Sequence, residues 1–557
     1  MGMAPVLRTT LLLVLLCVYV NGYIPRFLFG RPRGGFLGSP AIDHLSLAKQ
    51  KLIKSKVPAD QWFDQKLDHF DPPDTRRWQQ RYFTSCAVKS NILFVMIGGE
   101  GTADPIWNVE GAWIGYAKKY GAVCLQLEHR YYGKSHPTKD LSVDNIKYLS
   151  SEQALRDLAA FITAKKKEYH AEKVIVFGGS YPGSLAAWVR MKYPYLVNGA
   201  VSASAPLLAQ VDFKGYLEVV RNSLDTYKVV EGCTDAITIA NTAIETSLPT
   251  SSGRNKLKTL FRLCNDIDAH EKKDIANLYT TLAGNFMNVV QYNKDNRAFE
   301  GAKDANITID TVCGIMTNKS IGDELERYAY VNNLLLSVYS EKCTDFKYQN
   351  MITSLRDASW KGEGARQWTY QTCTEFGWYQ SSDSDDQPFK HTFPIEFWTQ
   401  QCQDIFSPKF NSTFIEKAVE ETNINYGARN YTEDRIVFVN GAIDPWHYLS
   451  ITKSLPQAEA IYIPGTAHCA NMYPPSPEDP GPLTAARARI EVLIGQWLRP
   501  QQGDLRLSGP PSGQGTGGRV QTRDRMVPAD LRADSLATVP LTPPNIAFCP
   551  AYIFSRQ

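Results

Sequence analysis

Three residues far apart in the chain have the types that a hydroxyl nucleophile requires: Ser180, Asp444 and His468. A serine hydroxyl attacks a carbonyl only when a neighbouring base takes its proton and donors stand ready for the charge that develops on the attacked oxygen. Ser180 lies in Gly178-Gly179-Ser180-Tyr181-Pro182-Gly183, directly after the apolar run Val174 to Phe177. A strand that ends in a glycine-flanked serine and turns at once into a helix holds that hydroxyl on a strained bend. The usual pattern has glycine two places after the serine, where this chain has Pro182, with Gly183 one place further on. Pro182 leaves the Tyr181 N–H free to serve as an oxyanion donor, and its φ suits the first turn of a helix.

The acid and the base of such a site follow the serine in that order, on loops after late strands. Of the nine histidines only His391, His447 and His468 lie near or beyond residue 400. His468 follows the run Ala458 to Ile463, and Asp444 follows the run that ends at Val439, with His447 three residues further along the same loop. The expected roles are Ser180 as nucleophile, His468 as general acid and base, and Asp444 as the carboxylate that orients the imidazole and stabilises its charge. A surface histidine or a turn-forming Asp before proline explains either residue singly; all three in the right order favour the catalytic reading. A second oxyanion donor is expected from Gly99, in Gly98-Gly99-Glu100-Gly101 after an early strand. No Cys-x-x-Cys pair or His/Cys grouping at ligand spacing occurs, so neither a metal nor a cofactor is expected.

The elements needed to position these residues can be read around them. Asn91 to Ile97 and Ala122 to Leu127 read as buried strands ending in loops, and residues 151–168 have apolar positions at helical spacing. The strand 174–177 follows, then a helix-like run from Leu185 to Met191, later the strands 435–439 and 458–463, and an amphipathic helix from about Leu483 to Leu498. Alternation of this kind describes a doubly wound, mostly parallel sheet with crossover helices, the α/β-hydrolase class. From 207 to 403 the chain instead shows long helical segments of mixed polarity and six cysteines, which reads as an inserted helical cap stapled by disulfides. The expected organisation is a catalytic domain in two parts, 60–206 and 404–500, interrupted by the cap at 207–403.

At 557 residues the chain exceeds what one core usually occupies, and 43% hydrophobic residues are ample for packing. A formal charge of +3 without a long basic block argues against nucleic acid as a partner. Residues 1–22 carry Arg8, an apolar run from Leu11 to Val20 and a small-residue ending, the pattern of a cleavable signal peptide, too short in its apolar part for a membrane anchor. A Pro/Gly-rich leader follows (23–59). Eleven cysteines, six of them clustered, and sequons at Asn306, Asn318, Asn411 and Asn430 fit the secretory route. The Gly/Pro/Ser-rich tail 501–557 is expected to be disordered.

Several segments together carry a family resemblance: Gly178 to Gly183 with Ser184-Leu-Ala-Ala-Trp188, Leu127-Glu-His-Arg-Tyr-Tyr-Gly133, Tyr370-Gln-Thr-Cys-Thr-Glu-Phe376 and Phe438 to Trp446. Over about residues 60 to 498 the chain resembles the serine peptidases that include lysosomal Pro-Xaa carboxypeptidase and dipeptidyl-peptidase II. The resemblance implies a capped α/β-hydrolase acting as an exopeptidase in the endo-lysosomal or extracellular space, with the same triad and the oxyanion donors Gly99 and Tyr181. It also implies the pairs Cys373–Cys402, Cys233–Cys313 and Cys264–Cys343, out of the fifteen pairings that six cysteines allow. For the substrate pocket it points to Trp446, and at Trp378, Met472 and Ser184 to positions where this chain differs from the proline-cleaving relatives, so proline preference stays open.

The expected partners are peptides, with self-association as a homodimer also allowed. The alternatives are a secreted esterase or lipase of the same fold, since an identical triad serves esters, and a silent hydrolase-like binding protein.

Overall fold

The computed structural model describes residues 23–33, 35, 57–87, 89–295 and 306–499, which belong to one compact unit. The expected signal peptide and tail, and most of the leader, lie outside the described residues. A short antiparallel hairpin, β1 (Phe27–Leu28) and β2 (Arg31–Pro32), precedes everything else. The central sheet then takes up β3 (Gln61–Lys66), β4 (Arg77–Cys86), β5 (Ile92–Ile97), β6 (Val123–Leu127), β7 (Lys173–Gly179) and β8 (Gly199–Ala203). A two-residue-spaced parallel pair, β9 (Gln210–Asp212) and β10 (Gly377–Tyr379), stands apart, and β11 (Ile436–Gly441) and β12 (Glu459–Ile463) return to the main sheet.

The eight strands lie in the order β12-β11-β8-β7-β5-β6-β4-β3; β3, β4 and β6 pair antiparallel and all other pairs are parallel. The inner parallel strands are buried on both faces, as sheets covered by crossover helices must be, and their runs Ile92–Ile97 and Lys173–Gly179 are accordingly almost wholly apolar. Helices Ser151–Tyr169 and Tyr181–Lys192 supply a large part of one cover. Helices Ala112–Tyr120 and Gly481–Leu498 pack on the other face with Phe177, Val201 and Val439. This is an α/β-hydrolase sheet.

Between β8 and β11 the described chain is mainly helical, from Gly215–Leu224 to Ser412–Tyr426, and the longest of these helices is Lys272–Gln291. Three disulfides brace this stretch, Cys233–Cys313, Cys264–Cys343 and Cys373–Cys402, the pairs that the resemblance implies. A fourth joins Cys86 to Cys124 on the neighbouring strands β4 and β6, where residue 85 is in register with 124. Cys469 is a buried free thiol. Among the described residues no helix is long and apolar enough to cross a membrane, and no group of His, Cys, Asp and Glu side chains is placed to hold a metal ion.

Candidate active site

Ser180 directly follows β7 and caps the next helix with φ 62° and ψ −136°, a left-handed conformation that costs a non-glycine residue roughly 1–3 kcal/mol and persists only where its surroundings enforce it. The surroundings are close-packed glycines. A β-carbon on Gly178 would collide with the Pro182 carbonyl, and one on Gly183 would lie 2.7 Å from the Ala203 carbonyl oxygen. Gly99 faces the Pro182 ring with no room for a side chain, so its glycine is required by close approach rather than by a tight turn. The proline that replaces the usual glycine therefore sits against the loop expected to supply the second oxyanion donor. Pro182 itself lies in the first turn of its helix, where a missing N–H costs nothing.

The end of β8 ties the three loops together. The Ala203 carbonyl accepts the Ser180 N–H at 2.9 Å and also faces the Cys469 Sγ at 3.9 Å. The Ser204 N–H donates to the Val439 carbonyl of β11 at 2.7 Å, and the Ser204 hydroxyl accepts the Cys469 N–H at 2.9 Å. The serine bend, the strand leading to Asp444 and the loop carrying His468 thus share two consecutive residues as their anchor.

Asp444 caps the short 3-10 turn Pro445–Leu449: its Oδ1 accepts the Trp446 N–H at 3.0 Å and the His468 Nδ1–H at 2.9 Å. His447, the other histidine of that loop, points instead at the Tyr462 ring. Both Asp444 and His468 are completely buried, and Ser180 is 8% exposed. Burial alone would lower the His468 pKa; the Asp444 carboxylate, the Cys469 sulfur and the hydrogen bond to Asp444 outweigh it, and the imidazole is held well above its ordinary value. The His468 main chain is fixed by its N–H donating to the Gln291 carbonyl at 2.9 Å.

Gln291, at the end of helix Lys272–Gln291, was not visible as a site residue in the sequence. Its Oε1 accepts both the Trp446 Nε1–H at 2.9 Å and the Tyr216 hydroxyl at 2.7 Å. No local motif marks it, because its role is made by contacts more than 70 residues away. Two further residues, His129 and Gln371, lie inside motifs that carried the resemblance. Burial pushes the His129 pKa down to about 4, so the ring is neutral. Its Nδ1–H donates to the Arg130 carbonyl, and its Nε2 accepts the Tyr181 hydroxyl at 3.0 Å. Gln371 Nε2 donates to the same hydroxyl at 3.1 Å, so the side chain next to Ser180 is held from two sides.

The expected pocket residues divide. Trp446 and Trp378 meet edge to face at 5.7 Å, with Trp378 stacked on Phe376, and Trp446 lies 6.3 Å from the His468 ring. Ser184 is turned into the core, its hydroxyl bonded to the Pro206 carbonyl at 2.7 Å. Met472 belongs to the core cluster of Met96, Trp113 and Phe177. The structure does not bring these two to the tryptophan pair. The four sequon asparagines, Asn306, Asn318, Asn411 and Asn430, are all exposed.

The profile of the serine carboxypeptidase S28 family matches residues 65–490. A putative serine protease of Caenorhabditis elegans is 39% identical to the chain, covering 84% of it and 93% of the relative. Thymus-specific serine protease of Mus musculus is 33% identical, covering 80% of this chain and 88% of its own. Lysosomal Pro-X carboxypeptidase of Homo sapiens is 29% identical over 79% and 88% of the two chains.

Proposed function

The chain belongs to the serine carboxypeptidase S28 family and is a serine-type peptidase, and from that premise we propose that Ser180, His468 and Asp444 form the triad of an exopeptidase of the secretory or endo-lysosomal system. The observation that carries this reading is the Asp444–His468 hydrogen bond, held on loops that share the Ala203–Ser204 anchor with the Ser180 bend. In the reaction the Ser180 oxygen attacks the scissile carbonyl carbon while His468 Nε2 takes its proton. The oxyanion is met by the N–H groups of Gly99 and Tyr181. Collapse breaks the C–N bond, His468 returns the proton to the leaving amine, and the acyl group stays on Ser180. Water then attacks the ester with the same base and releases the acid.

Exopeptidase action is supported by the match of residues 65–490 to the serine carboxypeptidase S28 profile. Trp446 and Trp378 are the proposed walls of the substrate pocket, and the helical stretch 207–403 is the proposed cap. Four disulfides and four exposed sequons support passage through an oxidising compartment.

A fluorophosphonate probe is expected to label the wild type and not Ser180→Ala; equal labelling of both rejects the assignment. Digestion of a defined peptide library, read by mass spectrometry beside ester substrates, is expected to show trimming from a terminus. Internal cuts, or turnover of esters alone, would replace the exopeptidase reading.

A further inference from the structure

The N-terminal hairpin does not lie on the surface. Phe29 is 1% and Arg31 4% exposed, and Gly30 between them is buried. The tip turns through left-handed backbone at Phe29 and Gly30, φ 50° and 69°. Gly30 and Arg31 touch residues placed in the proposed site. Gly30 lies against the Trp446 indole with no room for a β-carbon, and its carbonyl accepts Gln291 Nε2–H at 2.9 Å. Gln291 is the residue that holds the His468 main chain and the Trp446 indole Nε1–H. The Phe29 ring packs 5.5 Å from Tyr379 and 5.3 Å from Trp398, and the Phe29 carbonyl accepts the Trp368 indole Nε1–H at 3.1 Å. Arg31 Nε donates to the carbonyl of Glu100 at 2.6 Å, one residue beyond Gly99, and a second guanidinium nitrogen bonds the Glu363 carbonyl. Gly35 completes the row, its Cα facing Gly101.

The hairpin therefore covers the Gly99–Gly101 loop, the Trp446 wall and the support of His468 together. It does so in the manner of a bound peptide, by main-chain carbonyls and an aromatic side chain. Its hold is uneven. Burial pulls the Arg31 pKa down, so a cation is kept where its charge is penalised, against main-chain carbonyls. At the hairpin base Arg33 pairs with Glu341 at 3.2 Å in partly exposed surroundings, a contact that water replaces at little cost.

We infer that residues 23–33 are an intramolecular occupant of the substrate cleft, and that this peptidase is closed until the hairpin leaves. The inference rests on the reading of Ser180 as the nucleophile. Departure needs no chemistry at the triad: one cut in the chain between the hairpin and β3 frees the segment to dissociate.

The test uses the full chain with a recognition site for a sequence-specific protease inserted between residues 40 and 50. Labelling of Ser180 by a peptide-sized fluorophosphonate is timed before the cut, after the cut and dialysis, and after return of a synthetic peptide spanning Tyr23 to Arg33. The expected result is at least tenfold faster labelling after the cut, with dose-dependent slowing by the peptide. In the uncut chain, Phe29→Ala and Arg31→Ala are expected to accelerate labelling as well. Equal rates in cut, uncut and substituted chains overturn the inference. So does loss of both labelling and the thermal transition once mass spectrometry shows the hairpin gone, since the hairpin is then part of the fold. Failure of every form to label, with cooperative melting intact, rejects Ser180 as nucleophile instead.

Discussion

Gly99 and Pro182 are packed so closely that a β-carbon on the glycine would overlap the proline ring. The contact joins the two segments proposed to supply the oxyanion donors, and Pro182 is two residues from the nucleophile. Gly99→Ala must push these segments apart. The expected loss is about 10²–10³-fold in kcat, the scale of one removed oxyanion donor. Pro182→Gly in the same chain is expected to restore part of it by vacating the space; a double-mutant cycle with no coupling would show that the contact does not position the site.

Asp444→Asn removes the charge that holds the His468 pKa up. The imidazole must be neutral to accept the Ser180 proton, so kcat/KM rises with pH through the folded pKa of His468. In the wild type that limb stands above the ordinary histidine range. Without the carboxylate, burial is opposed only by the Cys469 sulfur and the limb moves to lower pH, while kcat falls by about 10⁴-fold. A pH profile of kcat/KM for both forms checks this; an unmoved limb would assign the titration to another group.

The serine bend was legible because Val174 to Phe177 is an unbroken apolar run entering glycines, and the late strands were legible for the same reason. The anchor of the site was not. β8 is Gly-Ala-Val-Ser-Ala, too small and too short to register as a strand, yet its last residue and Ser204 hold all three loops. β3 and β4 were also missed, since Gln, Arg and Asp dominate an edge hairpin whose strand character comes from pairing. The resemblance placed Ser184 and Met472 near the site along the chain, but position along a chain does not fix where a side chain points. Ser184 is completely buried in a helix enclosed from Tyr181 to Arg190, and its hydroxyl is satisfied by the Pro206 carbonyl. Gln291 left no trace, being one polar residue in a long mixed helix.

Gln291→Leu keeps the main-chain carbonyl that binds the His468 N–H and removes the acceptor of Trp446 Nε1–H and the Tyr216 hydroxyl. Each buried donor left unpaired costs roughly 1–3 kcal/mol, so the melting temperature falls. Because the triad keeps its own contacts while the Trp446 wall loosens, KM for peptides is expected to rise about tenfold with kcat within about threefold. A reversed split, with kcat falling and KM unchanged, would mean that the glutamine side chain acts on the triad.

Glu375 contributes an acid-favouring part of the pH dependence of stability. Burial raises its pKa from 4.5 to about 7, against the lowering effect of hydrogen bonds from the Ser151 hydroxyl and N–H. The folded chain thus keeps a proton that the unfolded chain releases near pH 4.5, and this contribution is full below that pH and is lost as pH rises through 7. Burial raises Asp104 in the same way, to about 6, so the two groups act together. His129, whose pKa burial pushes down to about 4, acts in the opposite sense over the same range, so the expected signature lies in the comparison with a variant. Relative to the wild type, Glu375→Gln, which carries no titrating proton, should cost about 1 kcal/mol at pH 5 for the acceptor lost at Ser151 and less at pH 8, where the wild type has lost the Glu375 contribution. Calorimetry at the two pH values decides. An equal difference between variant and wild type at the two pH values would show that Glu375 does not titrate between them.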